Sequence, residues 1–169
     1  MSSVYLRKPQ INDLAEIKEA YEHSVQLHQP WTYPPSDFEQ YSTQEHRYFV
    51  CLEKDHSIIG TFNISNIIRG YFHSAYLGYE VFHPYQGQGY MKEGLKLLLK
   101  EAFENLNLHR LEANIQPENI ASIHLVANAG FIKEGFSRQY LRVGGKEWKD
   151  HERWAILNKQ WVEPLPLKT

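Results

Sequence analysis

The chain is predicted to fold as α+β: a mixed, mainly antiparallel sheet flanked by helices, with one βαβ unit at its centre. Three observations predict it. Two pairs of β-branched and aromatic runs adjoin across short polar or glycine-rich connections, 47–52 with 58–64 and 132–142 with 146–157, as antiparallel hairpins do. Between these pairs a strand-like run ends in a glycine turn and gives way to a helical pattern. A second strand and a second helix follow, so the two middle strands are separated by a helix and can neighbour each other only as a parallel pair. No internal repeat, linker or low-complexity tract divides residues 1–169, and a single domain is expected.

Taken in order, Asn12–Asp13 can cap a helix whose apolar positions Leu14, Ile17, Ala20 and Tyr21 follow helical spacing. The stretch 29–35 carries three prolines that prevent regular helix and leaves Trp31 and Tyr33 on a loop. A helix over about 36–45 is predicted next. The first hairpin turns around Lys54–Asp55–His56–Ser57, and a further strand over 75–82 leads into the glycine turn. Met91, Leu95, Leu98, Leu99, Ala102, Phe103 and Leu106 then mark one face of a helix, opposite Lys92, Lys96, Lys100 and Glu104. Leu111, Ala113 and Ile115 alternate with Glu112, Asn114 and Gln116 in a strand. Residues 119–129 read as a helix that Gly130 stops, before the long hairpin around Gly144–Gly145.

Composition excludes several classes of function. With 18 basic against 20 acidic residues the net charge is −2, so no bulk attraction for nucleic acid exists. One cysteine, Cys51, rules out an internal disulfide and fits a reducing compartment. No apolar run approaches the roughly 18 residues a membrane span needs, and no signal peptide is evident, so a cytoplasmic location is expected. The nine histidines include no His-x-His or His-Glu-x-x-His pattern, and no metal is expected. A Gly-x-Ser-x-Gly nucleophile elbow is also missing.

The segment from Val81 to Glu93 runs from strand through a glycine turn into a helix. That is the layout of an anion cradle, in which glycines let the backbone approach and the unpaired amides of the helix start donate to a phosphate. Gln86-x-x-Gly89-x-Met91, followed by Asn119-x-x-Ser122 and Ala129–Gly130–Phe131, resembles the acetyl-CoA-binding core of the Gcn5-related N-acetyltransferases (GNAT). The resemblance narrows to the branch that acetylates ribosomal-protein N-termini. Tyr5–Leu6–Arg7-x-Pro9 with Asp13 looks like that branch's opening strand, His28–Gln29–Pro30–Trp31 like its Pro-Trp loop, Ala75–Tyr76–Leu77–Gly78–Tyr79 like its fourth strand, and Gly144–Gly145–Lys146-x-Trp148-x-Asp150 like its final hairpin.

That resemblance implies transfer of an acetyl group from acetyl-CoA to a primary amine, by direct attack in a ternary complex. The acceptor it implies is the N-terminal α-amine of a ribosomal protein. A small amine such as a polyamine or antibiotic is the alternative, and so is a catalytically weak acyl-CoA-binding sensor. Acetyl-CoA would be held by Val81, Phe82, Gln86, Gly87, Gln88, Gly89, Tyr90, Met91 and Lys92, with Asn119 on the pantetheine arm or capping its helix. The backbone N–H of Tyr79 is placed at the thioester carbonyl. The family's acid tyrosine is replaced by Val126, and Ser122 takes that role unless its hydroxyl is satisfied within the helix or contacts pantetheine. The base is Glu112 or Tyr76, or else water alone deprotonates the amine. Trp31 and Tyr33 either line the acceptor groove or cover the core. The protein would act as a monomer or dimer, with no nucleic acid and no membrane as partner.

Overall fold

A computed structural model describes residues 2–164. The elements are β1 (Val4–Arg7), α1 (Leu14–His23), α2 (Val25–His28), α3 (Phe38–Ser42), β2 (Arg47–Leu52), β3 (Ile58–Ile68), β4 (Ser74–Val81), α4 (Tyr90–Lys100), β5 (Arg110–Ile115), α5 (Ile120–Asn128), β6 (Ile132–Val143) and β7 (Glu147–Leu157). Among the described residues seven strands form one sheet in the order β1-β2-β3-β4-β5-β7-β6. Every neighbouring pair is antiparallel except β4–β5. The mixed α+β sheet with one parallel pair is therefore as the hydrophobic patterns predict.

Both faces of the sheet are covered, which is why β2 is buried along its whole length and reads as a nearly unbroken apolar run. On one face α4 and α5 cover Val50, Ile59, Phe62, Leu77, Leu111 and Ala113, with Met91, Leu95, Leu98 and Val126 supplied by the helices. On the other, α1 and α3 bring Ile17, Tyr21 and Tyr41 against Phe49, Cys51, Ile58 and Phe82. Cys51 is a buried free thiol.

Several element boundaries differ from the expectation. A 3-10 turn over Ile11–Asp13 precedes α1, and Gln10 takes the capping position. Asp13 instead works with its carboxylate, which the Arg7 guanidinium grips at 2.8 Å through both nitrogens while Gln10 N–H donates at 2.7 Å. The helix predicted over 36–45 is only Phe38–Ser42: Asp37 Oδ1 caps it by accepting from Gln40 N–H at 3.0 Å, and Thr43 Oγ1 closes it by donating to the Gln40 carbonyl at 2.9 Å. α4 gives way to wider π-type turns over Glu101–Asn105, so Phe103 and Leu106 only half bury. The short α2 has no periodic signal in the sequence, since four residues are barely one turn.

Candidate functional site

The site begins where β4 and β5 part. Their parallel register covers only Ser74–Arg110, Ala75–Leu111 and Tyr76–Glu112. Beyond it β4 continues to Val81 along β3, and β5 continues to Ile115 along β7. A cavity of about 260 Å³ opens between the two strands, lined by Leu77, Gly78, Tyr79 and Glu80 on one side and by Ala113, Asn114, Ile115 and Gln116 on the other. Trp31, Thr32, Asn119, Ser122 and His151 complete the lining. Phe82 N–H points to β3, where it donates to the Ile59 carbonyl at 2.8 Å. Strand alternation then turns the Tyr79 and Val81 amides the other way, into the gap.

The turn after β4 has the properties of an anion cradle. Gly87 and Gly89 adopt φ of 73° and 82°, the left-handed region that side chains resist, and Gly89 caps α4. The first α4 bond runs from Glu93 N–H to the Gly89 carbonyl, and among the described residues no protein acceptor takes the amides of 87–92. A Cβ at either glycine would meet nothing within 4 Å, so the ground before these amides is open. Orphan N–H groups at the positive end of a helix suit a pyrophosphate. Side chains brace the turn: Gln86 Nε2 contacts His83 Nδ1 at 2.9 Å, and Gln88 Nε2 donates to the Pro84 carbonyl at 2.9 Å. Met91 buries its thioether over Gly60 in the core, away from the amides, while Lys92 is exposed and Tyr90 half-buried.

Tyr79 and Ser122 meet. The Tyr79 hydroxyl lies 2.6 Å from Ser122 Oγ and 3.1 Å from the Ser122 carbonyl oxygen, and burial pushes the phenol above its usual pKa. Asn119 Oδ1 caps α5 by accepting from Ser122 N–H at 3.4 Å, which leaves its amide NH₂ free for another partner. Val126 is buried in the core.

Other predicted residues lie elsewhere. Tyr76 and Glu112 face each other at the last paired position, outside the cavity lining. Both Glu112 oxygens are engaged, by Arg110 at 2.9 Å and Asn114 Nδ2 at 3.3 Å. The Phe82 ring sits in the second core, 5.0 Å from Tyr21, and both its backbone groups are bonded, so it shapes the turn and faces no ligand. Trp31 lines the cavity, its carbonyl accepting from Gln116 Nε2 at 3.2 Å. Tyr33 packs instead against the tip of the last hairpin, with Lys146 Nζ 4.9 Å from its ring centroid.

Sequence reading misses Glu80, the one carboxylate in the cavity lining, and His28 beside it. Tyr21 hydroxyl donates to Glu80 Oε1 at 3.2 Å, His28 Nδ1 lies 3.3 Å from Oε2, and His28 Nε2 is 2.7 Å from the Val81 carbonyl oxygen. The signal was present: Glu80 is the single charged residue in the strand and turn run 75–82. A carboxylate inside an apolar strand is a candidate for chemistry because burying it is costly. Among the described residues no cluster of side chains could hold a metal ion, and no helix is long and apolar enough to cross a membrane.

Comparison with known proteins agrees with this geometry. Residues 3–132 match the family described as acetyltransferase (GNAT) domain. The chain is 39% identical over 116 residues to the [ribosomal protein uS5]-alanine N-acetyltransferase of Escherichia coli K12, covering 68% of this chain and 59% of that protein. It is 37% identical over 115 residues to a probable N-acetyltransferase, YjcK, of Bacillus subtilis, covering 68% and 63%. The chain thus spans about three-fifths of the length of these curated relatives. Among solved structures, the ribosomal-protein-S5-alanine acetyltransferase of Vibrio fischeri superposes with a TM-score of 0.86 at 27% identity, covering 96% of this chain and 97% of that one. RimJ of Mycobacterium smegmatis, in complex with CoA-disulfide, gives 0.81 at 26%, covering 95% and 84%.

Proposed function

Because the chain belongs to the acetyltransferase (GNAT) domain family, we propose that it moves an acetyl group from acetyl-CoA to the N-terminal α-amine of a protein, a ribosomal protein foremost. The observation that carries the reading is the gap through the sheet. Tyr79 and Ser122 stand on the α4–α5 side of it, and Trp31, Glu80 and His28 on the α1 side, so two substrates can approach from opposite faces and meet between β4 and β5. Similarity to ribosomal-protein alanine acetyltransferases supports the acceptor class. So does the lining, where Glu80 is the single carboxylate: a polyamine would present several ammonium groups to it.

Bound acetyl-CoA supplies an activated thioester carbonyl. Amides of 87–92 hold the pyrophosphate, and Asn119 offers its NH₂ to the pantetheine arm. The Tyr79 N–H, turned into the gap, stabilises negative charge on the carbonyl oxygen. The Ser122 hydroxyl gives its proton to the departing sulfur, and the Tyr79 hydroxyl at 2.6 Å can restore it. A cytoplasmic enzyme would find both substrates at hand.

Release of free CoA is the test, measured against peptides starting with Ala or Ser, polyamines and aminoglycosides. Peptide-dependent release that disappears when the α-amine is blocked is the expected result. Release with polyamines or aminoglycosides alone would move the acceptor to small amines, and tight acetyl-CoA binding without any release would overturn the enzyme reading.

A further inference from the structure

Glu80 is the carboxylate to which the acetyl-transfer scheme gives no task. Its side chain is 19% exposed, and Oε2 is buried without accepting a hydrogen bond although His28 Nδ1 is only 3.3 Å away. The His28 tautomer explains this. Its Nε2 lies 2.7 Å from the Val81 carbonyl oxygen, which can only accept, so Nε2 carries the proton and the neutral ring turns the Nδ1 lone pair toward Oε2. Two electron pairs face each other, and one added proton relieves the repulsion. The other titratable or charged groups around this carboxyl are Tyr21 from α1, Tyr41 from α3, Arg47 from β2 and His151 from β7 across the cavity. Burial raises the Glu80 carboxyl to about 7, against the opposing pull of the Tyr21 hydrogen bond and the Arg47 charge. The same burial lowers the His28 pKa, so the proton of the pair resides on the carboxyl.

Resting on the acetyl-transfer reading, we propose that Glu80 is the proton acceptor of the reaction, taking the proton of the acceptor ammonium directly or through one water, with His28 as the positioning residue. An N–H bond breaks, an O–H bond forms on Glu80, and the electron pair left on nitrogen forms the new C–N bond as the thioester C–S bond breaks. The sulfur leaves with the bonding pair and takes the Ser122 proton. Glu112 and Tyr76 lie outside the cavity lining, whereas Glu80 is in it. Proton affinity also sorts the acceptors. An α-ammonium, with pKa of about 7.7–8.0, loses its proton to such a carboxylate at roughly a tenfold equilibrium disadvantage, whereas a lysine-like ammonium near 10.4 faces about 2,000-fold.

Glu80→Gln tests this, because the amide can accept from Tyr21 and donate to His28 Nδ1 without changing size. Acetyl-CoA affinity should stay at the wild-type value. With an Ala-starting peptide, kcat/KM should fall about a hundredfold and lose the acidic limb near pH 7. A peptide hydrazide, whose nucleophile is already neutral, should lose far less. Glu80→Asp should recover part of the activity, and His28→Asn should move the limb without removing it. Stability supplies a second readout. A carboxyl raised in the folded state stabilises fully below its unfolded pKa and loses that contribution as pH rises through about 7. The urea midpoint should therefore drop between pH 5 and 8 in the wild type and drop less in Glu80→Gln. Wild-type turnover and pH profile in Glu80→Gln would overturn the proposal. No amine-dependent CoA release by the wild type would remove the acetyl-transfer reading itself, a failure seen before any variant is made.

Discussion

Ser122 and Tyr79 carry complementary parts of one hydroxyl pair, 2.6 Å apart, and substitution should separate them. Ser122→Ala is expected to lower kcat by roughly 10²-fold with little change in acetyl-CoA affinity, since it removes the donor nearest the departing sulfur. Tyr79→Phe leaves Ser122 in place but without a proton source behind it, and a smaller loss, about tenfold, is expected in a steady-state assay. Combining the two should cost no more than Ser122→Ala alone, because residues acting as a unit are not additive. The sequence made Ser122 legible because its helix position can be counted from Asn119 and Gly130. Glu80 was hidden because period-2 alternation says which face a residue takes, but not that β5 has moved away to leave that face open. Glu112 misled in the opposite sense: its strand position is right, yet Arg110 and Asn114 occupy both of its oxygens.

The β4-turn-α4 element is the part read most fully from sequence, since glycine spacing and helix periodicity are both local. Gly89 at φ 82° must be left-handed for α4 to start where it does. Gly89→Val would cost about 1–2 kcal/mol in backbone strain and set a branched side chain among the orphan amides. Acetyl-CoA affinity should weaken at least tenfold by calorimetry while the fold survives; unchanged affinity would remove the phosphate role. Less legible were the short elements. α2 and α3 exist through tertiary contacts, the His28 ring on Val81 and the Tyr41 ring under Arg47, and such contacts leave no periodic trace in a sequence.

At the scale of the molecule, the acceptor loop and the last hairpin form one wall although more than a hundred residues separate them. Gly144, at φ 61°, allows this: a Cβ there would stand 2.3 Å from the Tyr33 ring. Gly144→Val should push the hairpin tip off the 29–35 loop, raising KM for a peptide acceptor several-fold and leaving the acetyl-CoA affinity untouched. A loss confined to acetyl-CoA binding would mean that this wall does not shape the acceptor side. Chain order foretold the sheet's mixed character, because a helix between neighbouring strands forces them parallel. It could not foretell the length of that parallel pairing, which sequence patterns do not encode. The three residue pairs from Ser74–Arg110 to Tyr76–Glu112 are the whole seam between two half-sheets, one of four strands and one of three. A fork hinged on so short a joint concentrates flexing at its crotch, and a pair of substrates touching both arms would act as a splint, stiffening the enzyme only when both are in place.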